Sequence, residues 1–137
     1  MPSSRYLGGH LLEHSLKKAE FAMPAATWVA LCTAAPTRSS TGSTITEANY
    51  TGYKRVSVAA AGWSTATAAD PDVISNASAI VIPKATAGES TVTYFAICTA
   101  ETAGEVLYYG ALAESLKITS GLSAVEFATG ELKVTAE

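Results

Sequence analysis

Trp28-Val29-Ala30-Leu31-Cys32-Thr33-Ala34 is nearly repeated in Tyr94-Phe95-Ala96-Ile97-Cys98-Thr99-Ala100. An aromatic start, a short apolar run and a polar small-residue exit predict two buried strands of one β-rich core, because β-branched and aromatic side chains fit a pleated sheet. Nothing in either phrase suggests chemistry. Convergence of two core strands on similar residues explains the likeness without an ancient duplication.

Outward from these phrases, the chain breaks into further short strands. Tyr53 to Ala60 alternates, with Val56 and Val58 on one face and Arg55 and Ser57 on the other, before Gly62-Trp63 turns the chain. Val73 to Ile82 is strand-like, interrupted by Asn76 and stopped by Pro83. Val106 to Leu112, Ser115 to Thr119, Ser123 to Ala128 and Glu131 to Thr135 follow, with Gly121 and Gly130 as turns. The late strands are expected to pair as hairpins, with Tyr108 and Tyr109 on opposite faces so that at least one is buried. The fold class is mainly β: an antiparallel β-sandwich of about eight short strands behind an N-terminal amphipathic helix or arm. The expected division is an arm over 1–23 and a sandwich domain over 24–137. Between the first two strands, Ala34 to Thr51 is rich in Pro, Ser, Thr and Gly and reads as a long surface loop.

Ser3 and Ser4 can cap a helix in which Leu7, Leu11, Leu12 and Leu16 are the apolar positions, with Lys17 and Lys18 suiting its end. Gly8-Gly9 weakens it by about 1 kcal/mol per glycine, so it needs a docking surface. From Ser4 to Glu20 it would reach about 25 Å, long enough to cross onto a neighbouring subunit. Tyr6, Leu7, Leu11, Leu12 and Leu16 are therefore the candidate protein-interface residues. Each buried leucine would contribute about 1.5–3 kcal/mol.

The chain has 137 residues, the size of a single domain. Its net charge of −3, with only 9 Lys plus Arg, provides no basic field for nucleic acid or an anionic membrane. Charged residues are 15% of the chain, below the roughly 25% of typical soluble domains, a surface suited to packing against protein. No apolar run approaches a membrane span, and no secretory signal is evident. Cys32 and Cys98 are expected to be buried thiols, with a disulfide open only if the matching phrases lie side by side. The Asn49 and Asn76 sequons are expected to be unused.

His10-Leu11-Leu12-Glu13-His14 satisfies the H-x-x-E-H pattern of inverted zinc metalloproteases. A glycine-weakened terminal helix in a short chain, with no second helix to bring a third ligand, argues instead for two histidines on the polar or inter-subunit side of a docking helix. Asp70 and Asp72 flank Pro71 as turn formers rather than a cation site. Tyr50, Tyr53 and Trp63 could line a sugar-binding face, but strand-entrance aromatics more commonly anchor loops. No serine or cysteine has a histidine placed to activate it. No catalytic residue, cofactor or metal is expected, and the chain reads as a non-enzyme.

Three ordered phrases carry a family resemblance: Pro24 to Thr37, Asn49-Tyr50-Thr51-Gly52-Tyr53-Lys54-Arg55-Val56, and Ile74-Ser75-Asn76-Ala77-Ser78-Ala79-Ile80. It continues through Val92 to Cys98, Leu107-Tyr108-Tyr109-Gly110-Ala111-Leu112 and Phe127 to Thr135. Together they resemble a family of small tailed-bacteriophage virion proteins often labelled tail fibre protein. The resemblance implies a structural protein of the virion, on the capsid exterior or the tail, assembled in the host cytoplasm. Because the chain has neither heptads nor a fibrous repeat, a capsid decoration or cement protein bridging capsid subunits is the leading expectation. A tail fibre or tail-associated protein, or a host-glycan-binding module, is the alternative. The expected partners are the major capsid protein or other virion proteins and further copies of the chain as a homo-oligomer, with no nucleic acid and no membrane.

Overall fold

The computed structural model describes residues 3–18, 20, 24–67, 72–122 and 124–135. One helix, α1 (Arg5–Leu16), precedes eight strands: β1 (Ala26–Cys32), β2 (Val56–Ala59), β3 (Val73–Ser75), β4 (Ile80–Ile82), β5 (Glu89–Cys98), β6 (Val106–Thr119), β7 (Val125–Phe127) and β8 (Lys133–Thr135). The fold is mainly β and antiparallel, as expected. Its main layer is a four-stranded sheet in the order β2-β1-β5-β6, and two ribbons, β3-β8 and β4-β7, pack against it rather than a second continuous sheet.

The near-repeated phrases are direct neighbours in that sheet, running in opposite directions. Ala30 pairs with Ala96 at the centre, Trp28 with Cys98 and Cys32 with Tyr94. Each phrase thus sets its aromatic start against the other's cysteine, matching large with small across the ladder. The same register excludes the disulfide. Cys32 and Cys98 are four residues apart along the strands, roughly 13 Å at about 3.3 Å per residue and beyond the ~7 Å a bridge spans, and both are free and buried.

Alternation divides the sheet into two faces. Val29, Leu31, Phe95 and Ile97 point to one side and join Val58, Ile80, Ile82, Ile118 and Val134 in the larger core, against the ribbons. Ala30, Cys32, Ala96 and Cys98 point to the other. Trp28, Tyr94, Val106 and Tyr109 share that face, and the segment after β1 runs along the sheet edge, where Thr33 N donates to Thr46 O and Ala48 N to Leu31 O, both at 2.9 Å. Pro36 and Gly42 are buried within the segment, Ala48 and Tyr50 join the larger core, and Ile45 packs on the Ala/Cys face. The long surface loop expected over Ala34 to Thr51 is therefore a core-covering segment. Its Ser/Thr content satisfies its own backbone, as where Ser40 Oγ accepts from Thr37 N at 2.9 Å and Thr44 Oγ1 from Thr41 N at 2.8 Å.

The chain from β3 onward is one folded ribbon with three rungs: β3 pairs β8, β4 pairs β7 and β5 pairs β6. Only β5 and β6 make the adjacent hairpin expected of the late strands, because β7 and β8 return to earlier partners. Val106–Leu112 and Ser115–Thr119, expected as two strands, are the single strand β6. The expected gap coincides with a bulge: Val92 faces Leu116 and Tyr94 faces Ala111, so residues 112–115 have no counterpart on β5. Tyr109 is buried on the Ala/Cys face, whereas Tyr108 is half-buried towards the larger core and α1.

Asn76 joins the first two rungs. Its Nδ2 donates to the carbonyls of Ser78, Phe127 and Ala128 at 2.9–3.2 Å, and its Oδ1 accepts from Leu132 N at 3.0 Å. The side chain that seemed to interrupt a strand satisfies the backbone groups that the ladder break frees. At 1% exposure it offers no surface amide for a glycan in the folded chain. The Asp70-Pro71 turn, the connection over 21–23 and the start of the Ser123 strand lie outside the described residues.

Candidate functional site

The helix singled out in the sequence is rooted in its own chain. Ser4 N donates to Leu107 O at 2.9 Å, Ser4 Oγ donates to Val106 O, and Arg5 N donates to Arg38 O at 2.8 Å. Ser3 bridges Tyr108 antiparallel, continuing the open edge of β6. Ser4 Oγ also accepts from Leu7 N at 3.2 Å, the expected N-cap, and the residue is fully buried. Leu7 is 2% exposed and packs on Leu107, with Tyr6 and Tyr108 beside it. Docking on β6 supplies the tertiary support that Gly8-Gly9 denies the helix locally.

Beyond that root the helix is bare. It stops at Leu16 instead of reaching Glu20. Lys17 N donates to Glu13 O at 2.9 Å, and Lys18 turns into the left-handed region at φ 56°. At 100° per residue Leu12 and Leu16 turn away from Leu7, and Leu11, Leu12 and Leu16 are 43%, 63% and 79% exposed. Of the five candidate interface residues, Leu7 is committed to the chain's own packing, Tyr6 partly so, and the other three leucines are presented to solvent.

The face carrying His10, Glu13 and His14 is also exposed, with the His10 ring edge-on to Tyr6 at 4.7 Å. Among the described residues no group of three His, Cys, Asp or Glu gathers to hold a metal ion. Asp72 lies exposed just before β3. No helix among the described residues is long and apolar enough to cross a membrane.

The aromatic residues considered for sugar binding have internal partners. Tyr50 is buried and donates to Pro83 O at 2.5 Å, and Trp63 Nε1 donates to Thr27 Oγ1 at 3.0 Å. Tyr53 donates to Glu47 Oε1 at 2.7 Å and accepts from Leu31 N at 3.2 Å. Burial first, then Glu47, raises the Tyr53 phenol well above its ordinary range. The three rings anchor chain to the body and form no common exposed platform.

Sequence reasoning missed the group on which Tyr53 converges. Arg55, placed by strict alternation on the face opposite Val56 and Val58, is 3% exposed and lies just ahead of β2. Its Nε and Nη2 grip both oxygens of Glu47 at 2.9 Å. The remaining donors go to the carbonyls of Gly42 at 2.7 Å, Ala100 at 2.8 Å and Ala103 at 2.9 Å, so every guanidinium N–H has an acceptor. Burial pulls the guanidinium pKa down, but the hydrogen bonds and attraction of Glu47 outweigh this and leave it raised. The fork thus fastens the segment after β1 to the turn between β5 and β6. Burial also pushes the Cys32 thiol up to about 12 and the Cys98 thiol to about 11, with Arg55 opposing and Glu47 reinforcing, so neither is poised as a nucleophile.

The residues most available for action are therefore the exposed leucines of α1, whose chemistry is contact. No curated protein matches the chain significantly. The family model described as Podophage GP4 fiber I protein gp80 matches residues 2–135. With almost the whole chain covered, these β-rich residues and their N-terminal helix belong to the family of phage fibre structural proteins, which are virion-associated.

Proposed function

We propose that this chain is a non-enzymatic fibre subunit that docks to a neighbouring virion protein through the outer half of α1. The observation that carries the reading is the helix itself: its first turn is locked to β6, while Leu12 and Leu16 are held out at 63% and 79% exposure. Large apolar side chains displayed from a fixed root favour a protein partner. The fibre placement draws on the family description.

With no long helical or repetitive shaft among the described residues, a second reading is favoured, a decoration protein bridging capsid subunits. Particles carrying Leu12→Glu with Leu16→Glu test the docking role, because both positions are exposed and the body should fold unchanged. Loss of the chain from purified particles, with an unaltered melting temperature of the free protein, is the expected result. Retention at wild-type levels overturns helix docking. Imaging of wild-type virions separates the placements: density for this chain on a fibre supports the first, and density over capsid seams supports the second.

A further inference from the structure

We propose that the partner engaged by the outer half of α1 is a second copy of this chain, whose groove between β6 and β7 receives the helix. The inference rests on the docking role proposed above and names its occupant. Where residues 112–115 leave the β5 ladder, the bulge opens a groove against β7. Half-buried Leu112, Leu116 and Phe127 line it, and exposed Glu114, Glu126 and Glu131 rim it. One Glu131 oxygen accepts from Ala128 N at 3.1 Å, and Lys117 is engaged with Glu89 at 3.5 Å. Lys133 stands on the adjoining part of the surface.

The helix is complementary in both respects. Leu12 and Leu16 are the apolar inserts, and Lys17 and Lys18 follow them directly, where they would meet the glutamate rim. The charge division extends through the chain. Residues 1–18 carry three Lys or Arg and one Glu, whereas residues 19–137 carry six Lys or Arg and eleven Asp or Glu. A basic arm on an acidic body favours arm-to-body contact between copies. The chain's own α1 does not fill the groove, because it is rooted at Leu107 with Leu12 and Leu16 left exposed. Helix and groove are different surfaces, so the joint is either exchanged reciprocally within a two-fold pair or repeated head-to-tail, as a ring where the rotation closes.

Sedimentation velocity of the full chain over about a hundredfold concentration range tests this, using a helix variant (Leu12→Glu with Leu16→Glu) and a groove variant (Glu114→Lys with Glu126→Lys). Thermal melts establish that both variants remain folded. The wild type should associate with rising concentration, and each variant should raise the midpoint by about tenfold or more. Mixing the variants should restore a dimer but nothing larger, since one intact helix then meets one intact groove. A wild type that stays monomeric throughout overturns the proposal, as does a groove variant that assembles normally or a mixture that stays monomeric. If the wild type is monomeric while the helix variant is still lost from particles, helix docking stands and its partner is another virion protein.

Discussion

The two faces of the central sheet are buried by different means. Towards the ribbons, Val29, Leu31, Phe95 and Ile97 meet aliphatic side chains from β4 and β8, so that face is held by apolar bulk. On the other, Ala30, Cys32, Ala96 and Cys98 lie among the larger Trp28, Tyr94 and Tyr109, and Ile45 of the segment after β1 packs there, in a segment pinned by the Arg55–Glu47 fork. The first face should tolerate small changes of volume. The second depends on close approach and on a fully bonded buried cation.

The largest expected effect is at Gly42. A Cβ there would stand 1.8 Å from the Ala103 carbonyl oxygen, backbone against backbone. Gly42→Ala should cost more than about 4 kcal/mol, read as failure to accumulate folded protein or a collapse of the denaturation midpoint. A near-native midpoint would show that the cover is not held at contact distance.

Arg55→Met keeps the aliphatic stem and removes the charge, stranding the Glu47 carboxylate and three carbonyls. A loss of about 3–5 kcal/mol is expected in chemical denaturation. Arg55→Lys should recover little, since an ammonium cannot reproduce the planar fork. Full rescue by lysine would reduce the node to a point charge.

A matched pair of variants compares the faces directly. Ala96→Val on the covered side should cost about 1–3 kcal/mol by overpacking. Ile82→Val on the ribbon side should cost about 0.5–1.5 kcal/mol by losing one methylene. Reversal of that order would remove the contrast.

A pH-dependent effect is expected from alkali. In the unfolded chain the two thiols ionise near their ordinary value of 9.0, whereas folding holds their protons to about 12 at Cys32 and about 11 at Cys98. The unfolded state therefore binds fewer protons above pH 9. The thiol contribution to stability is fully present below that point and declines through the window up to about 11–12. Melting temperatures measured from pH 7 to 10.5 should fall more steeply in the wild type than in Cys32→Ala with Cys98→Ala. Equal slopes would show that burial does not hold the thiols protonated.

Several strand positions were legible because burial leaves a local imprint: β1 and β5 from their near-repeat, β2 from its valines, and Ser4 as the helix cap. The burial of Arg55 was not legible because alternation assigns a face without saying what covers it. The segment after β1 was misread because composition reports polarity, whereas its burial depends on core contacts with distant strands and on Arg55. The leucines of α1 were legible as apolar positions, but their division at Leu7 follows from the docking of Ser4 on β6. The β6–β7 groove left no local signal, since its lining joins strands that never pair with each other.

By itself the sequence determined a β-rich chain, its two matching core strands, a capped N-terminal helix and a likeness to a virion structural family, because side-chain period and residue type act over a few neighbours. Only the tertiary structure decided which face each polar residue occupies, that the matching phrases pair head to tail, and which leucines remain available. Those outcomes depend on contacts between residues distant in sequence, such as Ser4 with Leu107 and Arg55 with Ala100.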